Sequence, residues 1–387
     1  MHRISDEQRR IRLGRRHLLA PSLRTASPVS VADAVVALHA TDAATVFLST
    51  CARLSEAGVA PVEQALYGDV SLVRQLSMRN TLFVVSRELA PFVDASNARA
   101  VAAKERRTFL RHLTDDGNGL DERWLADAEQ QTLAALADRG TATGTELSAA
   151  VAALRTKITV FPGKKAEGVQ GVASRVIRIL AAEGLIRRDR PRGSWTSSQF
   201  RWTSSDPWPS EDPARARAEL ARRWLRSYGP ATETDLKWWT GWGLGPTRKA
   251  LAAVEAEEVR LDDGAVGWVL PEDMEPEPAP EPWAALLPAL DPSAMGWSDR
   301  GFHLQAGHRE ALFDRSGNIG PTVWWNGRIV GGWAQRADGE PVWRLLSDVG
   351  RDASAAIEAE ASRFSRWVGQ ARVTPRFRTP LERELTA

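Results

Sequence analysis

The residues best suited to chemistry form a short run, His39-Ala40-Thr41-Asp42, within the stretch Leu38 to Ala44. An imidazole, a hydroxyl and a carboxylate stand at the junction of two predicted helices, where a polar trio is able to face a groove. A plainer reading stands beside it. Asp42 is a natural N-cap for a helix starting at residue 43, Thr41 can share that task, and His39 is then an ordinary junction histidine. Read alone, the residues leave both open.

Other reaction classes find no support. The six histidines (2, 17, 39, 112, 303 and 308) make no HExxH and no cluster with metal-ligand spacing, and Cys51 is the single cysteine. No metal site or cofactor is expected. There is no GxxxxGK[ST] and no GxSxG, and GLGPTRKA at 243–250 reads as a helix start. ATP-driven and α/β-hydrolase chemistry are therefore not expected.

Charge is more informative. The net charge of +2 conceals 51 basic side chains, of which only six are lysine. Arginine bias of this kind follows from GC-rich coding, yet arginine is also the better residue for bidentate phosphate contacts. Eleven of these cations fall in residues 155–201 against Glu167, Glu183 and Asp189, whereas residues 255–281 carry ten acids against Arg260. Opposed blocks of this size point to one surface facing a polyanion and another facing elsewhere.

The elements that must carry these groups repeat in order. Residues 4–20 pattern as an amphipathic basic helix, 30–38 as a second and 43–56 as a third, followed by a strand at 81–85. In the next unit, helices are expected at 121–139, after Thr145 as cap, and at 168–183. A strand, Pro-Arg-Gly turn and strand follow over 185–204. The third unit has helices at 214–227, from the Thr232 cap to Thr240, and from Gly245-Pro246 to Ala256. Its hairpin turns at Asp263-Gly264. Helices followed by a strand in the first unit, and by a hairpin in the second and third, give the order of a winged helix-turn-helix.

Residues 271–282, PEDMEPEPAPEP, read as a stiff, solvated acidic linker. Beyond it, Asn326-Gly327 and Asp338-Gly339 are hairpin signals, with a final helix at 353–370, so the C-terminus is a small barrel or sheet packed on a helix. The expected divisions are 1–118, 119–206, 207–270, the linker 271–282, and 283–387. With 387 residues the chain exceeds one ordinary core. No apolar run is long enough for a membrane span, and the charged N-terminus lacks the apolar core of a secretory signal. A cytoplasmic, nucleoid-associated protein is expected. Of its 16 tryptophans, Trp124, Trp224, Trp238 and Trp239 read as core, whereas Trp195, Trp202 and Trp297 lie in loops or hairpins beside arginines, where they can stack on bases.

These segments together resemble a known family, the winged-helix DNA glycosylases of the AlkZ and YcaQ kind. The resemblance runs through VVALHATDAATVFLSTCARL, SMRNTLFVVS and YGPATETDLKWWTGW. Its most specific parts are LLPALDPSAMGWSDRGFHL and LFDRSGNIGPTVWWNGRIVGGWAQ. It implies a mainly helical α+β fold of three tandem winged helices plus a β-rich module, C-shaped around a basic channel for duplex DNA. It also implies a monomeric, monofunctional enzyme that hydrolyses the N-glycosidic bond of alkylated purines, including bulky N7 adducts and crosslinks. Such an activity serves base excision repair or self-resistance to a genotoxic antibiotic.

The family's catalytic Gln-X-Gln, or Gln-X-Asp, falls on His39-Ala40-Thr41. On that reading His39, with a pKa near ~6.5, orients or deprotonates a water beside C1′. Thr41 holds the water, and Asp42 adds negative charge near the developing sugar cation. Arg79 and Asn80 match the family's Arg-Gly pair, and Arg300 resembles a family arginine on a loop that carries Trp297 toward the channel. Arg187, Arg188, Arg190 and Arg192 on the second wing are expected to take phosphates. Two other functions fit less: a non-catalytic winged-helix regulator, and a protein that sequesters the genotoxin itself.

Overall fold

The computed structural model describes residues 1–387 as an α+β fold. It opens with strand β1 (His2–Arg3) and helix α1 (Asp6–Arg16). Helix α2 (Pro28–Ala34) gives way to strand β2 (Leu38–His39) because Val36 takes a left-handed φ of 62°, which breaks the helix expected to run to 38. Helix α3 (Ala43–Cys51) starts on Asp42, and α4 (Val59–Glu63) widens into a π turn at Gln64–Gly68. Strands β3 (Leu72–Leu76) and β4 (Leu82–Ser86) complete a sheet in the order β2-β4-β3. Its register sets His39 opposite Phe83, and Phe83 opposite Gln75.

Helices α5 (Ala90–Val93) and α6 (Arg99–Asp116) lead to the second unit. There α7 (Glu122–Arg139), β5 (Thr141–Thr143) and α8 (Gly144–Ala150) follow in turn. The cap of α8 is Thr143, in a reciprocal capping box with Glu146, and not Thr145. A hairpin of β6 (Lys157–Val160) and β7 (Gly168–Gly171) stands where helix was expected from Gly168; helix α9 begins only at Ala173 and runs to Ala182. Strands β8 (Ile186–Asp189) and β9 (Arg201–Ser204) close a sheet ordered β5-β9-β8.

The third unit holds α10 (Pro213–Tyr228), α11 (Glu233–Thr240) on its Thr232 cap, and α12 (Leu244–Ala253). Strands β10 (Glu257–Arg260) and β11 (Val266–Val269) turn at Gly264, and β1 joins them in parallel from the far end of the chain. The C-terminal module is an open antiparallel sheet of β12 (Ala284–Leu287), β13 (Thr322–Trp325), β14 (Arg328–Gln335) and β15 (Pro341–Leu345). Short helices α13 (Pro292–Met295) and α14 (Arg309–Leu312) lie between β12 and β13. Helices α15 (Gly350–Val368) and α16 (Pro380–Leu385) follow the sheet. No helix is long and apolar enough to cross a membrane.

Three cores hold these parts. One joins Leu13 of α1 to Trp224, Tyr228 and Trp239 of the third unit and to Trp283, Trp297 and Trp324 beyond it. Another packs Val46, Phe47 and Leu48 of α3 against Trp333 and Phe364. The second unit keeps a core of its own around Phe109, Leu136, Val176 and Leu180. The acidic segment is not a free linker. Arg12 donates to the carbonyls of Asp273 and Glu275, and Arg16 pairs with Asp273 and Glu277, so the basic helix α1 is strapped down by its opposite charge.

Candidate active site and nucleic-acid interface

His39 ends β2 with 6% of its surface exposed, its ring 5.1 Å from that of Phe83. Burial pushes its pKa down to about 3, and the positive charge of Arg79 adds to this. The near-neutral titration expected from its residue type is thus replaced by an imidazole that stays neutral. The Thr41 N–H points at Nδ1 from 3.5 Å, which favours the tautomer with its proton on Nε2. Nε2 has no protein partner and is not sealed from solvent. A neutral ring of this tautomer presents Nε2–H as a hydrogen-bond donor.

Asp42 caps α3 as expected: Oδ1 accepts from the Ala44 N–H at 3.1 Å. Its other oxygen accepts from the Arg376 N–H at 3.0 Å. Both oxygens therefore accept from the backbone, which gives Asp42 a structural part at the start of α3. Thr41 is half-buried, and its carbonyl receives Arg376 Nη1 at 3.5 Å.

Arg79 and Asn80 are consecutive left-handed residues, φ 53° and 58°, in the turn between β3 and β4. Asparagine tolerates this conformation better than most, so Asn80 can stand where glycine was expected. Its side chain is already engaged, donating to Glu105 at 3.1 Å and accepting from Arg178 at 2.9 Å. Asn80 thus ties α6 to α9. Arg79 lies 4.2 Å above the Trp238 ring, half-buried, with its pKa lowered to about 10 by burial.

Two further assignments are corrected. Trp297 is 3% exposed, donates Nε1–H to the Tyr228 carbonyl at 3.1 Å and packs edge-on against Phe302. Arg300, 9% exposed, donates Nε–H to the Ala294 carbonyl and faces Trp238 and Phe313. Neither reaches a channel, because the loop that bears them folds into the largest core. Trp195 is likewise buried, between Phe47 and Trp367. Only Trp202 of the three stacking candidates stays half-exposed.

The second wing divides. Arg190 is paired with Glu63, and Arg192 with Glu146. Arg187 and Arg188 line a cavity of about 1200 Å³ between the first and second units. Arg74, Gln75, Arg175, Arg178, Phe200 and Trp202 share its wall. Arg188 lies 3.8 Å over the Phe200 ring, and its pKa falls to about 9 through burial, with Arg74, Arg376 and Arg178 adding to it. Gln75 connects this cavity to the other candidate centre, since it stands in one cross-strand row with Phe83 and His39.

A family model described as DNA glycosylase AlkZ-like matches residues 32–367. The chain belongs to the AlkZ-like DNA glycosylase family. A Streptomyces sahachiroi protein named interstrand DNA cross-link repair glycosylase is 30% identical over 217 residues. That stretch is 52% of this chain and 57% of the relative's own length. The solved structure of Streptomyces sahachiroi DNA glycosylase AlkZ is similar in fold. Its TM-score is 0.71 over 96% of this chain and 98% of that one, at 23% identity.

In this AlkZ-like chain, three residues near the site carry no sequence motif: Arg74, Phe200 and Arg376. Arg74 sits in a strand whose neighbours alternate only partly, and Arg376 in the basic stretch VTPRFRTP. That stretch, extended and charged after the last long helix, was the one available signal.

Proposed function

We propose that the protein is a monofunctional DNA glycosylase that hydrolyses the N-glycosidic bond of alkylated purines, of the N7-alkylguanine type, in duplex DNA. Bulky genotoxin adducts and crosslinks belong to the same class, and base excision repair or antibiotic self-resistance is the setting. Helices followed by strands in three successive segments support three tandem winged helices, forming a C around a basic channel in a monomer that works in the cytoplasm, at the nucleoid.

One observation carries this reading: Arg74, Arg187 and Arg188, which have no carboxylate partner, line a cavity whose wall residue Gln75 stands in one cross-strand row with Phe83 and His39. An N7-alkylated purine is cationic, so its glycosidic bond is already weakened and no strong acid is required. What remains is to place a water beside C1′ while positive charge develops on the sugar. His39 donates through Nε2 to that water or to the adjoining sugar oxygen, and Thr41 offers the second hydrogen bond. Arginines along the cavity hold the backbone.

The test uses one duplex bearing N7-methylguanine and another bearing a bulky N7-guanine adduct, each incubated with protein and cleaved with alkali at abasic sites. Product lost in His39→Ala supports the reading. No product from either duplex, with binding intact, overturns the enzymatic part.

A second reading rests on Asp42, whose carboxylate is engaged as the cap of α3 and by the Arg376 N–H. On it the protein binds DNA without catalysis, as a winged-helix DNA-binding protein or regulator. The same incubation separates the two.

A further inference from the structure

Arg74 and Arg188 come from different units yet share one aromatic ring. The Arg188 guanidinium lies 3.8 Å from the centre of Phe200, and that of Arg74 lies 6.0 Å from it. Four of their nitrogens, Nε and Nη2 of Arg74 and Nε and Nη1 of Arg188, are sealed from water without a hydrogen-bond partner. Both acids on the cavity wall are already engaged, Glu105 by Arg178, Arg175 and Asn80, and Glu146 by Arg192 and Thr143. Buried cationic donors left unpaired are costly, so the pair calls for an anion from outside the chain.

We propose that Arg74 and Arg188 grip one and the same backbone phosphate of bound DNA, which thereby bridges the first unit to the second. This rests on the DNA-binding part of the function proposed above. A phosphodiester presents two non-bridging oxygens, one for each guanidinium: Arg74 Nη1 and Arg188 Nη2 have no protein partner and are not sealed, and the Phe200 ring lies beside both side chains. A polyanion is favoured over a free phosphate because Arg175, Arg178 and Arg187 continue along the same wall. Arg376 lies close enough to add to the positive field at Arg188, and its own N–H is fixed by Asp42. The bridging phosphate is therefore tied, through that tail, to the turn that carries His39.

Sharing is measurable in the salt dependence of binding to undamaged duplex. Each phosphate neutralised contributes about 0.9 to the slope of log K against log salt. With a shared phosphate, Arg74→Met and Arg188→Met each weaken binding several-fold but leave the slope nearly unchanged, because the remaining arginine still neutralises it. The double variant then loses about 0.9. Separate phosphates would instead cost about 0.9 in each single variant and about 1.8 in the double, which overturns the proposal. An unchanged slope throughout, or no binding to DNA at all, overturns it too.

Two controls separate this site from a merely structural one. Removing an unpaired buried cation raises the melting temperature of the free protein in Arg188→Met, whereas a side chain held only for packing lowers it and sinks the proposal. In a second arm, inorganic phosphate alone is added. A thermal shift as large as that given by duplex, abolished in the double variant, would identify a free-phosphate site and overturn the shared backbone contact. Base release is scored separately, so a protein that binds with the shared slope but releases no base would fail the enzymatic reading and keep this one.

Discussion

Asp42 and Arg376 are joined across nearly the whole chain: the Arg376 N–H donates to the Asp42 carboxylate at 3.0 Å, while the other carboxylate oxygen caps α3. One side chain thus starts the helix behind His39 and pins the C-terminal tail beside it. Asp42→Ala is expected to cost about 1–2 kcal/mol of stability through the lost cap. Urea unfolding measures that loss. Base release by the folded fraction should stay within a few-fold of the parent; a deficit of a hundredfold or more would return Asp42 to the chemistry.

His39 gives a distinctive pH profile. An ordinary histidine titrates near ~6.5 and loses its acceptor nitrogen as it charges, so a histidine acting as a base would lose rate below that pH, although the charged ring still donates. With its pKa pushed down to about 3, the ring is neutral throughout the range in which the protein is expected to stay folded. Single-turnover base release should therefore be flat from pH 8 down to about pH 5. Since the ring acts as a donor, His39→Gln, which restores an amide N–H, should retain more activity than His39→Ala. The alanine variant should lose about 10- to 100-fold, the worth of one hydrogen bond to a charged transition state. A rate limb centred near 6.5 in the parent would contradict the donor role.

Much of the architecture could be read from local signals. Asp42, Thr232 and the Asp263-Gly264 turn are placed by their own chemistry, and each lies where expected. The misses have long-range causes. Leu38–His39 becomes a strand only because β4 lies beside it, and the expected helix from residue 168 opens as a strand paired with 157–160. For the site, residue type misled most where tertiary packing decides. Trp297 and Trp195 sit beside arginines in the sequence but turn into cores, and the wing cations Arg190 and Arg192 meet Glu63 and Glu146 from other elements. Arg74 and Phe200 escaped notice because they are 126 positions apart and meet only in the folded chain.

The buried pair Arg53–Asp291 predicts where acid will unfold the protein. Both side chains are fully inaccessible, with Nη2 at 2.7 Å from Oδ1, and they join α3 to the loop before α13. Arg53 holds the Asp291 carboxylate below its ordinary range against the opposing effect of burial. A carboxylate with a lowered folded pKa stabilises above its unfolded value and loses that contribution as pH falls through the folded one. His17, pushed down to about 3 by burial, acts in the same direction, since the unfolded chain takes up its proton first as pH falls below about 6.5. Stability measured by urea should therefore decline steadily from about pH 6.5 downward. Asp291→Ala should cost about 3–5 kcal/mol at neutral pH, because it strands a buried guanidinium. Replacing both residues, Arg53→Met with Asp291→Leu, should recover much of the loss. A single variant no worse than the double would show that the pair is not what holds α3.

Trp195 anchors the loop between β8 and β9 onto a different part of the molecule. Its ring lies 5.2 Å from Phe47 of α3 and 5.9 Å from Trp367 of α15, and Arg190 adds an ion pair to Glu63 beside α4. That loop carries Phe200 and forms one wall of the basic cavity. Trp195→Ala removes a large side chain that the second wing inserts into the core of α3 and the C-terminal module. Its main effect should therefore be local release of the loop. Trypsin should cut after Arg192 many-fold faster in the variant, while the second unit's own core keeps its hydrogen-exchange protection. Affinity for undamaged duplex should fall several-fold with the loosened wall. If instead Trp195 were a base-stacking residue, the variant would lose DNA affinity with no change in cleavage after Arg192, and mass spectrometry of the digest distinguishes the two outcomes directly.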